Sequence, residues 1–567
     1  MKNSKLIIFL VGMYFTALPA MHAQAQQAEM IKQEIVQLVS GAPFTMPAVA
    51  VPSFAGRSFN INDYGAAADG KTLNTKAMND AIQACSNAGG GTVIVPPGLW
   101  FTGPIKIGSN VNLHLERGAL IQFSKNIDDY PLIAGLSGKS KHYIRTPPLY
   151  SYKAKNIAIT GYGIIDGAGE AWRYAKKSKF TATQWKEQVA SGGYVSPDGK
   201  EWWPSKEAYE GEAYLSGLEK SGMQPTRDDF EHVREFLRPD LVVFDQCSGV
   251  LIDGTTFENS PKFHVRPSHS ENIIIRNVKV FSPWYGQNND GIDPTSCRNL
   301  IMYNCILDVG DDGICLKPAS LASSQTPGPA CENILIADCA VYHAHGGFVI
   351  GSESYGGVNN VFVNNCVYVG TDVGLRFKSL RGKGGLVQNV FVDGIQMRGI
   401  ATDAILFDMY YGGGSPDVEA EKQDDTHHAE PVNERTPRFQ NFSIKNIACL
   451  GAARAMDVKG LAEMPVKNIF LENVSIESEK GVFLTQADGV TFRNVTITLR
   501  TGAVISLDES RNITIDGMKY PAGAERFLSV EGETSEAIRV SGVDVSLAKK
   551  GIEIGKDVPA HAITMKR

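Results

Sequence analysis

From about residue 270 the chain repeats a short pattern of apolar and polar positions. The fragments Glu271-Asn-Ile-Ile-Ile, Arg298-Asn-Leu-Ile-Met, Glu332-Asn-Ile-Leu-Ile and Asn359-Asn-Val-Phe-Val share it, and it returns at Gln388, Lys467 and Arg511. A second apolar run follows each within a few residues, as in Asn277-Val-Lys-Val, Asn304-Cys-Ile-Leu, Asn473-Val-Ser-Ile and Asn494-Val-Thr-Ile. A third then arrives, as in Gly347-Phe-Val-Ile, Gly374-Leu-Arg-Phe and Gly481-Val-Phe-Leu. Spacing between starts is mostly on the order of 21 to 34 residues, the range of solenoid repeats. Three short strands separated by Asn/Gly/Asp turns cannot close a core alone, but stacked coils can. Asparagine suits the turns because it tolerates left-handed backbone and can hydrogen-bond along a ladder of equivalent positions. The pattern predicts an all-β fold, a right-handed parallel β-helix over residues 57–560.

Ahead of the repeats, Ala77, Met78, Ala81, Ile82 and Cys85 recur at helical spacing, and Gly89-Gly90-Gly91 ends that run. This predicts a short helix capping the open end of the first coil. Residues 26–56 read as an N-terminal extension. Two stretches break the rhythm and read as long loop insertions. Residues 168–238 are rich in charge and carry Trp172, Trp185, Trp202 and Trp203, whose indoles could stack on sugar rings or form a small core of their own. The polar loop 412–438 contains His427 and His428 near Asp424 and Asp425, a context that reads as solvated rather than metal-binding.

Composition narrows the setting. The chain has 567 residues, 43% hydrophobic and 20% charged, with a net charge of -6 that gives no electrostatic reason to expect nucleic acid or an anionic membrane as partner. Lys2 and Lys5, the apolar stretch Leu6 to Ala20 and Ala23-Gln24-Ala25 form a cleavable signal peptide over 1–25, so a secreted or periplasmic protein without a membrane anchor is expected. The 9 cysteines are scattered without Cys-x-x-Cys pairs, which argues against a disulfide framework or a zinc site. Cys305, Cys339 and Cys366 recur at one repeat position and are expected to be buried, stacked thiols.

The candidate chemistry is concentrated in four coils. Gln287-Asn288-Asn289-Asp290-Gly291-Ile292-Asp293 is followed by Gly310-Asp311-Asp312-Gly313, then Ala344-His345-Gly346-Gly347, then Arg376-Phe377-Lys378. Each coil advances the chain by about 4.8 Å, so residues at matching phases form a row on one face. Crowding three carboxylates raises the proton affinity of at least one, suiting it to protonate a leaving oxygen while others activate water. Arg376 and Lys378, alternating on one strand, share a face and could hold a substrate carboxylate. Asp293 reads as a supporting residue, and Lys317 as either functional or a structural ion-pair partner.

Asn288-x-Asp290, Gly310-Asp311-Asp312, His345-Gly346 and Arg376-x-Lys378, in that order, resemble the pectin-degrading glycoside hydrolases of family 28, the polygalacturonases. The resemblance covers roughly residues 55–500 apart from the insertions. It implies Asp311 as general acid, Asp290 and Asp312 as activators of water, and inversion at the anomeric carbon. It also implies that His345 supports the acid, and that Arg376, Lys378, Tyr411 and Asn288 bind substrate, with the Tyr410/Tyr411 choice open. No metal or cofactor is expected, and the partner is a pectic polysaccharide met by a monomer. Departures are Asn289 where threonine is usual, Ala344 before the histidine, and Phe263-His264-Val265-Arg266, where Arg266 could add a carboxylate contact. Exo action is expected if the 168–238 insertion blocks one end of a cleft. A rhamnogalacturonan hydrolase and a calcium-dependent pectate lyase are the alternatives.

Overall fold

The computed structural model describes residues 26–135, 142–318, 328–412 and 428–566. The signal peptide expected over 1–25, and His427 with Asp424 and Asp425, lie outside them. No described helix is long and apolar enough to cross a membrane. The fold is a right-handed parallel β-helix, with two compact units.

In the first unit, Gly91–Val95, Val111–Leu115, Lys155–Gly161, Ser248–Asp253 and Glu271–Arg276 stack in parallel register as one row of strands. Gly98–Thr102, Ala119–Phe123, Ile164–Asp166 and Thr256–Glu258 form a second row. Ile105–Lys106, Leu149–Tyr152, Val242–Asp245 and Val265–Ser268 form the third. The cap helix is Thr75–Asn87, burying Met78, Ala81, Ile82 and Cys85 against the first coils. Asn74 precedes it without capping it. Its side chain instead ties down the approach, accepting from the Ala67 N–H at 2.8 Å and donating to Phe101 O at 3.1 Å.

Two parts of this unit differ from the pattern read along the chain. Residues 26–40 are helical, burying Ile31 and Ile35 one turn apart. The 168–238 insertion is not a loop but a lobe with its own elements: helices Ala182–Ala190, Lys206–Lys220 and Arg227–His232, and a three-stranded antiparallel sheet. Its tryptophans pack inward. Trp172 and Trp202 are buried, Trp203 stacks on Tyr174 with centroids 4.3 Å apart, and Trp185 meets Phe180 edge-on. These indoles thus form the small core of the lobe itself.

In the second unit, Cys331–Ala337, Val358–Asn364, Leu386–Asp393 and Arg438–Lys459 stack as one row. Ile306–Asp308, Ala340–Tyr342, Val367–Val369 and Gln396–Asp408 form the second. Ile314–Leu316, Phe348–Ile350 and Leu375–Lys378 form the third, which joins the same Gln396–Asp408 strand. From there the short strands fuse: Arg438–Lys459, Val466–Thr485 and Ala487–Asp508 run on through the corners, where the ladder shifts register at Leu450/Arg454 and Lys480/Val482. All 9 cysteines are free and buried, and Cys339 lies between Cys305 and Cys366 within thiol hydrogen-bonding reach.

The asparagine at each repeat start does what its chemistry allows. Asn272, Asn299, Asn333, Asn360, Asn389, Asn468 and Asn512 all have φ between 54° and 58°. Asn389 donates to Asn359 Oδ1 at 2.9 Å and accepts from Asn441 at 3.3 Å. Asn389→Ala should cost about 1–2 kcal/mol for the left-handed backbone and roughly 1 kcal/mol more for the lost ladder bonds. Asn389→Gly should lose only the second part, and urea unfolding of the two variants compares them directly.

Candidate active site

All four motif coils fall in the second unit. Gly291 N–H donates to Asp312 O at 2.9 Å, Gly313 N–H to Gly346 O at 2.9 Å, and His345 N–H to Asp311 O at 2.9 Å. These bonds set the motifs in a row. The glycines after the aspartates make the approach possible: a Cβ on Gly291 would lie 2.6 Å from Gly313 O, and one on Gly313 would lie 2.4 Å from Val341 Cγ1. Beneath the row the Phe377 side chain is buried, its ring centroid 4.6 Å from that of Phe407 and 5.0 Å from that of Phe442. That aromatic packing holds the strand that carries Arg376 and Lys378.

One carboxylate oxygen from each of Asp290, Asp311 and Asp312 lies within 4.8 Å of the others. Their surroundings differ sharply. Asp312 is buried and ion-paired twice, Oδ2 to Lys378 Nζ at 2.7 Å and Oδ1 to Arg376 Nη1 at 3.3 Å. Burial alone would raise its pKa, but Lys378, Arg376 and Lys317 overturn that and hold it well below the usual carboxylate range. Asp290 is equally buried and is pushed up to about 7. Burial is the main cause and repulsion by Asp311 and Asp312 adds to it, while Lys317, at 2.8 Å, opposes both. Asp311 is the outermost of the three, its side chain 21% exposed. It accepts N–H bonds from Asn288 at 3.1 Å and Asp312 at 3.0 Å. The site therefore holds one carboxylate fixed in its ionised form beside one with near-neutral proton affinity, the separation that acid–base chemistry needs.

The remaining candidates gather around these three. His345 Nδ1 is 3.7 Å from Asp311 Oδ1, and its Nε2 is 3.7 Å from Asp372 Oδ2. Tyr411 rather than Tyr410 faces the cations, its ring centroid 4.7 Å from Lys378 Nζ and 5.3 Å from Arg376 Cζ, while Tyr410 lies against Arg381. Asn288 reaches Asp311 through its backbone N–H. Asn289 is buried and accepts from Ser282 Oγ, a bracing role. In the first unit, Arg266 pairs with Asp240 at 2.8 Å, and His264 is fully buried. The pairing of both Arg376 and Lys378 with Asp312 is a geometry that a substrate-holding role alone does not predict. Asp372 was missed; the one signal for it is its place in the turn before the Arg376 strand.

The three clustered oxygens could surround a cation. However, Asp290 and Asp312 each already have a lysine ammonium within 2.8 Å, so positive charge is built in. Treatment with EDTA is expected to leave activity unchanged, and restoration by added Ca²⁺ after an EDTA-induced loss would contradict this.

Comparison with known proteins follows the same lines. Residues 231–423 match the family described as Glycosyl hydrolases family 28, and residues 58–194 match one described as Rhamnogalacturonase A/epimerase, pectate lyase-like. A hyperthermoactive exopolygalacturonase from Thermotoga maritima is 30% identical, with a TM-score of 0.66, covering 83% of this chain and 96% of that one. An exo-poly-alpha-D-galacturonosidase of Dickeya chrysanthemi is 27% identical over 496 residues, 83% of this chain and 76% of its own. A family 28 exopolygalacturonase of Yersinia enterocolitica shares the fold at 21% identity and a TM-score of 0.57, covering 90% of this chain and 79% of that one.

Proposed function

The chain belongs to glycosyl hydrolase family 28, and from that premise we propose that it hydrolyses α-1,4-galacturonosyl linkages of pectic homogalacturonan, releasing units from a chain end. The observation that carries this reading is the row of three carboxylates beside Arg376, Lys378 and the ring of Tyr411. Exo action is supported by two of the similar proteins, the Dickeya chrysanthemi and Thermotoga maritima enzymes, whose names specify it. With pectin as substrate and a signal peptide expected over 1–25, the protein acts in the periplasm or outside the cell.

In this reading Asp311, at the exposed edge of the cluster, gives its proton to the glycosidic oxygen. Asp312, held ionised by Lys378 and Arg376, takes a proton from the attacking water together with Asp290. His345 supports Asp311, and the substrate carboxylate enters beside Tyr411, where the two cations lie. One oxygen of each acid lies within 4.8 Å of the others, whereas inverting enzymes usually hold their two carboxyl groups roughly 6.5–9.5 Å apart to admit water. The inversion implied by the family resemblance therefore makes the product anomer a demanding test. A second assignment has its own support: the raised proton affinity of Asp290 suits it as the donor in place of Asp311.

Rhamnogalacturonan hydrolysis is the competing substrate reading, supported by the match over residues 58–194. A neutral rhamnose on the leaving-group side would offer Arg376 and Lys378 no carboxylate beyond that of Asp312. Incubation with oligogalacturonates and with rhamnogalacturonan oligomers separates the two. Cleavage of the former is expected, and cleavage of the latter alone would replace the proposal.

A further inference from the structure

Behind Asp290 lie the partly buried Lys317 and the fully buried Asp293, which the roles above leave unused. Lys317 Nζ is 2.8 Å from Asp290 Oδ2 and 3.5 Å from Asp293 Oδ2. Asp293 is fully buried, and neither of its oxygens has a hydrogen-bond donor among the described residues. Its neighbours are the Asp290 carboxyl and the Lys317 ammonium. Two carboxyls thus share one cation, with Asp293 shut off from water and the Lys317 side chain 13% exposed.

We infer that Lys317 and Asp293 are positioning residues for Asp290, the lysine fixing its charge and the Asp293 carboxyl, as a neutral acid, donating its O–H to it. The inference rests on the functional reading only for what Asp290 then does. The geometry follows from elementary electrostatics. A buried carboxylate without donors is unstable, and one ammonium cannot serve two anions equally. The lysine is closer to Asp290, so the proton settles on Asp293, which is within hydrogen-bonding reach of the Asp290 carboxyl. Burial followed by repulsion from Asp290 raises the Asp293 carboxyl well above its ordinary value. Lys317, which burial would discharge, stays charged because Asp290 and Asp293 outweigh that.

The titratable groups acting on Asp290 are Lys317, Asp311 and Asp312. Those acting on Asp293 are Asp290, Lys317 and Asp312, and Cys315 faces the lysine. Arg376 and Lys378 are engaged by Asp312. Lys317 is thus the cation paired directly with Asp290, and removing it should raise the Asp290 midpoint by about one pH unit or more.

The test uses the full chain and the variants Lys317→Met, Lys317→Arg and Asp293→Asn. Titration of ¹³C-labelled aspartate carboxyls, with Asp290 identified by its loss in D290N, reads the coupling without any substrate. The Asp290 midpoint should rise in K317M and return toward its original value in K317R. D293N should leave it nearly in place, because a neutral amide can still donate to Asp290. The pH profile of oligogalacturonate hydrolysis then shows what Asp290 does. An upward shift of the acid limb in K317M identifies a base, and one of the alkaline limb identifies the proton donor. Either shift supports the positioning role, and the second would overturn only the assignment of Asp311. Absence of any hydrolysis would sink the functional proposal, with the titration still deciding this one. An unmoved Asp290 midpoint in K317M, with only thermal stability reduced, would overturn the inference. So would a D293N protein as inactive as D311N.

Discussion

Replacing Asp311 by asparagine is expected to reduce turnover of oligogalacturonates by about 10²- to 10⁴-fold, the usual contribution of a positioned general acid, with the fold retained. The chemistry is lost because an amide cannot release a proton to the departing sugar. The fold survives because Asp311 is the exposed member of the cluster, bound by two backbone N–H groups from Asn288 and Asp312 rather than by a buried cation. The asparagine carbonyl can still accept one of them. Reducing-end release and a thermal melt measured on the same sample separate the two effects. Activity within tenfold of the parent would remove the donor role from Asp311 and pass it to Asp290, whose carboxyl burial pushes up to about 7.

The second large effect is expected at Lys378. Its ammonium and the Asp312 carboxylate are both nearly sealed from solvent at 2.7 Å, with Arg376 at 3.3 Å as the second cation paired to that carboxylate. Breaking such a pair from one side costs about 3–5 kcal/mol, because the surviving charge stays buried with less compensation. Lys378→Met should therefore lower the melting temperature as well as kcat. The sign of the pH dependence follows from the depressed Asp312 pKa. The pair's contribution is complete above the unfolded aspartate value of about 3.9 and is lost only as pH falls through the lower folded value. Melts at neutral pH thus show the full difference. Adding Asp312→Asn to K378M should recover part of the stability and none of the activity. An unchanged melting temperature with only KM raised would instead assign Lys378 to the substrate carboxylate.

The parts of this molecule legible in its sequence are those set by local rules repeated many times. Asparagine at Asn272, Asn333, Asn389 and Asn468 marks left-handed corners because few other residues accept them. The row from Asp290 to Lys378 could be drawn because coils rise by a fixed step. What was not legible depends on register or on which partner reaches first. Asp312 and Arg376 are far apart in sequence, and the pairing that gives Arg376 and Lys378 a carboxylate partner within the site appears only once the coils are stacked. The same holds for Lys317, whose preference for Asp290 over Asp293 is a matter of 2.8 against 3.5 Å. The helices in the 168–238 lobe are a different case. Thr181 with Gln184 and Thr226 with Asp229 form capping boxes that were present as signals, masked by the surrounding charge and tryptophan.

The most direct test is a ¹H-NMR time course of the wild-type protein acting on α-1,4-linked tetragalacturonate. Its first spectra should show saturated product released from a chain end, with the new reducing end in the β configuration before mutarotation. Unsaturated product signals, or a tetramer left intact, would contradict hydrolysis by the Asp290, Asp311 and Asp312 cluster.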